Sequence, residues 1–164
     1  MNEEPAPAKV PGWVAASFRG ATVFVIMLAL GELLAAIDTA SLHLGFGLPQ
    51  TLKLGTIFLS AFHRGTVMVS LPLGTETARA YLAGALGLGT VLAVWLLFRA
   101  GAKSAGDGGL LSRGLNGARV APAYVVLTWG AVALFSGVEG RAKALSVPAL
   151  LCPLILGGVA SFAG

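Results

Sequence analysis

Charged side chains are scarce in this chain. Of its 164 residues only 11% are Asp, Glu, Lys or Arg, against about 25% in an ordinary water-soluble domain, which needs them to cover its core. With 56% apolar residues and a mean hydropathy of +0.85, the chain has too little polar surface to wet a globule of its own size. Cysteine is nearly absent too. The single Cys152 rules out an intrachain disulfide, and with only two histidines no Cys/His set has metal-ligand spacing. No metal and no cofactor are therefore expected. The net charge of +4 does not point to nucleic acid, because the 11 Lys and Arg are scattered between apolar runs and do not share an aromatic-laced face. Basic flanks of this kind suit anionic lipid headgroups, so the lipid bilayer is the expected partner.

Long charge-free runs are what the chain does have. Residues Ala80 to Phe98 carry no charge and are bracketed by Arg79 and Arg99. As a helix this run would measure roughly 28 Å, close to the hydrocarbon thickness of a bilayer. Similar runs lie at 20–37, 120–138 and 144–162. The expectation is an all-α, polytopic transmembrane helical bundle of about four spans, one domain over 20–164 behind a polar N-terminal tail, 1–19. Trp13, Phe18 and Arg19 precede the first run as an interfacial anchor. That run reads as a retained signal anchor and not a cleaved signal peptide, because Glu32 lies inside it and its length reaches that of a span.

The connections differ in character. Residues 50–63 place Leu52, Leu54, Ile57, Phe58, Ala61 and Phe62 at helical spacing, with Lys53, Thr56, Ser60 and His63 between them. This predicts an outer amphipathic or re-entrant segment lying on the membrane or on the other spans. A single span over 54–73 is the second choice, since His63 and Arg64 would then lie near its middle. Residues 99–119 hold Arg99, Lys103, Arg113, Arg119 and six glycines, which reads as a flexible basic loop. With both termini inside, the cytoplasmic face receives Lys9, Arg19, Arg99, Lys103, Arg113 and Arg119, six cations against five outside (Lys53, Arg64, Arg79, Arg141 and Lys143); the bias is small and sits mostly in that loop.

Chemical motifs are few. Gly84-Ala-Leu-Gly-Leu-Gly has the wrong order for a dinucleotide loop, and Gly101-Ala-Lys-Ser lacks the glycine before lysine that a phosphate loop requires. No catalytic Ser/His/Asp or Cys/His set is visible. The ion or substrate candidates are Glu32, the one acid inside an apolar run, and His63 with Arg64, a basic pair suited to an anionic headgroup. Against these stand plainer roles: an interfacial carboxylate for Glu32, a solvated helix end for His63 and Arg64. Gly84, Gly87, Gly89, Gly157 and Gly158 are the helix-packing candidates.

The stretch Ala61-Phe-His-Arg-Gly-Thr-Val-Met-Val-Ser-Leu-Pro-Leu-Gly74, with the span closing on Val94-Trp-Leu-Leu-Phe-Arg-Ala-Gly101, resembles an uncharacterised group of actinobacterial multi-pass membrane proteins of the streptophobe-like type. The resemblance covers about a third of the chain and implies an α-helical bundle; members are typically longer. It brings no activity, cofactor or site residue. The expected function is a scaffold or accessory subunit of a membrane assembly, partnered by other membrane subunits or by a second copy of the chain. Alternatives are a transporter or channel component using Glu32, and an intramembrane enzyme. The first leads because three of the four runs hold no acid, base or histidine, whereas transport paths and intramembrane active sites need several.

Overall fold

The computed structural model describes residues 12–41, 47–63, 66–73, 76–83, 87–107, 109–138, 142–144 and 146–163. Among them the chain is mainly helical, with helices α1 (Gly12–Ser41), α2 (Leu48–Phe62), α3 (Gly87–Ser104), α4 (Leu110–Ala118), α5 (Ala121–Phe135) and α6 (Ser146–Ala163). Among the described residues two helical stretches are long and apolar enough to cross a membrane: α1, with 30 residues, and Leu110–Phe135, with 26 residues running through α4 and α5.

Several element bounds differ from those read off the sequence. The first helix starts at Gly12, well before residue 20, because nothing between Trp13 and Phe18 breaks it. Helix α3 begins at Gly87, seven residues after the expected start at 80. The residues before it form β2 (Glu76–Ala83), paired antiparallel with β1 (Thr66–Leu73) from Thr66↔Ala83 to Leu73↔Glu76. A single span over 54–73 is thereby excluded: α2 stops at Phe62 and the chain re-emerges as a strand. The short strands β3 (Gly137–Val138) and β4 (Ala142–Ala144) complete an antiparallel sheet of order β2-β1-β4-β3. Pro72 lies outside the part of β1 that pairs with β4, residues 67–69, where its missing N–H costs no bond to that neighbour. Nor is 99–119 one flexible loop. Residues 99–104 finish α3, 110–118 form α4, and the turn between them uses Gly106 at φ 67°.

Packing is organised by small residues. The side of α1 that the chain buries is Ala16, Gly20, Val23, Met27, Gly31 and Ala35, a stripe at three- and four-residue spacing, while Val25, Ile26, Leu33 and Ile37 point outward. Helix α3 repeats the pattern with Gly89, Ala93, Leu97, Ala100 and Gly101 inside and Val91, Trp95 and Phe98 outside. Helix α1 packs on α2, α3 and α5, and α6 packs on α3, α4 and α5. One end of the assembly gathers the start of α1, the end of α3, α4 and the end of α6. There Arg19 Nη1 donates to Ser104 Oγ at 2.8 Å, Asn116 Nδ2 donates to the Ala105 carbonyl at 3.2 Å, and Gly101 and Gly117 both press on the Ser161 carbonyl. The other end carries the sheet, where Val67 of β1 packs with Ile57, Val132 and Ala144.

Helix α2 is the exception in this arrangement. It starts after Gly47 with a proline in its first turn, crosses α1 at the Gly31/Gly55 contact, and drives its last turn into the centre. Leu59 and Phe62 share one core with Val23, Met27, Ala93, Leu97 and Tyr124.

Candidate functional site

His63 caps the buried end of α2 and is completely inaccessible. The expected solvated helix end, or surface site for an anionic head, is thus corrected: the imidazole faces the interior. Its Nδ1–H donates to the Leu59 carbonyl at 2.7 Å, and Nε2 accepts the hydroxyl of Tyr124 on α5. This assignment of the tautomer satisfies both partners at once, since a carbonyl only accepts and a phenol is free to donate. The two rings stand 5.5 Å apart, tilted by 54°. Arg64, the other half of that basic pair, lies outside the described residues.

A helix end buried away from water has to satisfy its last carbonyls. Here the Leu59 carbonyl takes the imidazole, the Ser60 carbonyl takes the His63 backbone N–H at 3.1 Å, and the Phe62 carbonyl takes the hydroxyl of Thr90 on α3. Three elements are tied together by polar groups that lie inside an apolar core. Thr128, one turn from Tyr124, is fully buried as well, and the buried Ser60 hydroxyl has no partner among the described residues. With both ring nitrogens engaged, His63 is poorly placed as a general base or a ligand. Among the described residues no group of three His, Cys, Asp or Glu side chains converges on a metal position.

Glu32 is placed differently. Half-buried on α1, its carboxyl group lies directly over Gly55 of α2, in the space a side chain there would fill. It lines a groove of about 400 Å³ between α1, α2 and α5, together with Lys53, Thr56, Phe24 and Phe135. The structure therefore brings Glu32 beside the predicted amphipathic segment, but not together with His63, whose environment is the α2–α3–α5 centre.

Of the packing glycines, Gly89 meets the ring of Phe62 and Gly157 makes ordinary contact with Leu97, Ala121 and Tyr124. Gly87 and Gly158 have nothing within 4 Å of where a Cβ would stand among the described residues; both are corrected from packing positions to open ones, because they fall off the buried stripes of their helices. Gly84 is outside the described residues. Sequence reasoning missed Gly20, Gly31, Gly55, Gly101 and Gly117, at each of which a Cβ would collide with a facing backbone or with the Glu32 carboxyl. A signal was present for α1, where Ala16 and Gly20, and again Gly31 and Ala35, stand four residues apart.

A second groove, of about 270 Å³, opens between α1 and α3 at the end away from the sheet, lined by Arg19, Arg99 and Lys103 with Trp95, Val23 and Ile26 among its apolar members. The Arg99 guanidinium stands 5.4 Å from the centre of the Trp95 ring, a cation–π distance. Comparison with protein-family models, curated proteins and solved structures finds no match for the chain.

Proposed function

We propose that the chain is a four-span integral membrane protein acting as a scaffold or accessory subunit of a membrane assembly. One observation carries this reading: glycine and alanine make up much of the buried stripes of α1 and α3, while Val25, Ile26, Leu33, Ile37, Val91 and Trp95 stay exposed. In the most apolar window of α1 only 28% of residues are buried, and in that of 110–135 only 33%. A core helix of a soluble protein is mostly covered, and a contiguous exposed apolar surface marks a lipid or partner interface. Helices α3 and α6 supply the other two crossings; at 18 residues each they extend about 27 Å. The His63–Tyr124 centre supports a structural role over a transport role, since its polar groups are bound to one another across three elements.

Alkaline carbonate washing of membranes tests the first half: the protein should stay in the pellet, and release into the supernatant would refute integral insertion. A photo-crosslinker at the exposed positions Val25 or Leu134 tests the second half. Discrete protein-sized adducts in native membranes support a subunit role, whereas lipid adducts alone at every position count against it. A second reading, a transporter or channel component, draws on the groove that Glu32 shares with Lys53; ion-dependent behaviour lost in Glu32→Gln would favour it.

A further inference from the structure

Three cations converge on one groove, and among the described residues no acid lines it. Arg19 comes from α1, Arg99 and Lys103 from α3. Like charges brought this close repel one another, so their gathering needs a cause. Part of it is local: the end of α3 is the negative pole of its helix dipole, Arg19 is held across to it by Ser104, and the Ser104 hydroxyl in turn donates to the Ala100 carbonyl at 2.9 Å. A single hydrogen bond occupies one of the five N–H donors of Arg19, and the Trp95 ring fixes Arg99 without neutralising it. The excess positive charge is left facing the groove. Above it, toward the middle of the helices, the lining turns apolar through Val23, Ile26 and Trp95.

We infer that this groove binds one anionic phospholipid, its phosphodiester among Arg19, Arg99 and Lys103 and one acyl chain against Val23, Ile26 and Trp95. The charge pattern selects the sign of the head, and the apolar half selects a lipid over a free phosphate. Basic pockets between membrane helices at the cytoplasmic side are suited to such heads, and Arg forks match phosphate geometry. The inference rests on the membrane reading above, but fails separately from it: a chain that resists alkaline extraction yet shows no head-group preference loses this site alone.

The test uses full-length protein in detergent micelles with Trp13→Phe and Trp129→Phe, leaving Trp95 as the one indole. Phosphatidylglycerol brominated on its acyl chains should quench Trp95 at lower mole fraction than brominated phosphatidylcholine. Arg99→Gln and Lys103→Gln should each weaken the apparent association about fivefold, the worth of one cation near a headgroup, and raising salt should weaken it further. Arg113→Gln removes a cation on exposed α4, outside the groove, and should leave it unchanged. Ile26→Phe keeps every cation and fills the apolar half, so it should weaken quenching even where a charge variant misfolds. Equal quenching by the two lipids, or an Arg113→Gln effect as large as that of Arg99→Gln, would overturn the site. Displacement by glycerol phosphate as effective as by unlabelled phosphatidylglycerol would overturn the lipid as its occupant.

Discussion

Helices α1 and α2 lie against each other, yet they choose what to bury by opposite rules. Along α1 the buried stripe is apolar and mostly small, Ala16, Gly20, Gly31 and Ala35 with Val23 and Met27 between them, and Val25, Ile26, Leu33 and Ile37 face out. Along α2 the buried set includes Thr56, Ser60 and the capping His63, while Leu52 is about half exposed. In water, a helix turns its polar face outward because that face is already hydrated. Where the surroundings are as apolar as leucine, hydrophobicity no longer distinguishes inside from outside; close backbone approach and polar bonding decide instead. Helix α1 shows the first of these and α2 the second.

The strongest way to break the comparison is to fill the close approaches. Gly101→Leu or Gly117→Leu would push a side chain into the Ser161 carbonyl, where no flexible group can yield, and overpacking of this kind costs about 1–3 kcal/mol or more. Both variants should melt well below the parent in detergent. Gly89→Leu should follow them, since Phe62 must move, whereas Gly87→Leu and Gly158→Leu, in open space, should melt like the parent. If the two groups melt alike, small-residue packing is not what holds the helices.

The polar side is sharpened by Tyr124→Phe, which leaves Nε2 of His63 buried without a donor. An orphaned buried acceptor costs about 1–3 kcal/mol in general, but coupling energies between membrane helices average nearer to about 0.6 kcal/mol. A thermal double-mutant cycle of Tyr124→Phe with His63→Leu separates these. Coupling close to zero would mean that the pair packs together but does not bond.

A smaller contrast sits where the two helices cross. Gly31→Ala would put a Cβ 2.6 Å from the Gly55 carbonyl oxygen, while Gly55→Ala would first meet the far end of the Glu32 side chain. Backbone cannot yield and a carboxyl group can, so Gly31→Ala should lower the melting temperature several times as much as Gly55→Ala. The smallest effect is expected from Val25→Ala or Leu134→Ala, both exposed: within about 0.5 kcal/mol, as for surface positions generally. A large loss there, measured in detergent, would indicate that these side chains pack against a second copy.

How much of this was legible in the sequence follows from the same contrast. The helices around 20–37, 120–138 and 144–162 are visible because an apolar run is a local property, and so is the helix over 50–63. The sheet is not. Glu76–Ala83 is rich in Ala, with Glu, Arg and Leu, all good helix formers, and becomes a strand only through its register with 66–73, itself tied to residues beyond 140. His63 was legible as a notable residue but not as a buried one, because the Tyr124 hydroxyl that donates to it is 61 residues away. In sequence each of the three cations of the α1–α3 groove stands only as a basic flank; their convergence depends on how two helices lie side by side.

The contact of Ser161 with both Gly101 and Gly117 bears on the timing of assembly. Helices emerge from the ribosome in chain order, so α1 and α2 can dock while the rest is still being made. Their crossing at Gly31 and Gly55 needs nothing later. The opposite end has no such freedom: α3 and α4 meet there over a carbonyl that belongs to α6. Until those residues have been synthesised, the glycine faces of α3 and α4 lack the backbone they fit, and an interrupted chain would present them to whatever helix lies nearby. The α1–α2 crossing should therefore mature first, and premature termination just before residue 146 should yield a protein folded at one end and open to mispairing and quality-control proteolysis at the other.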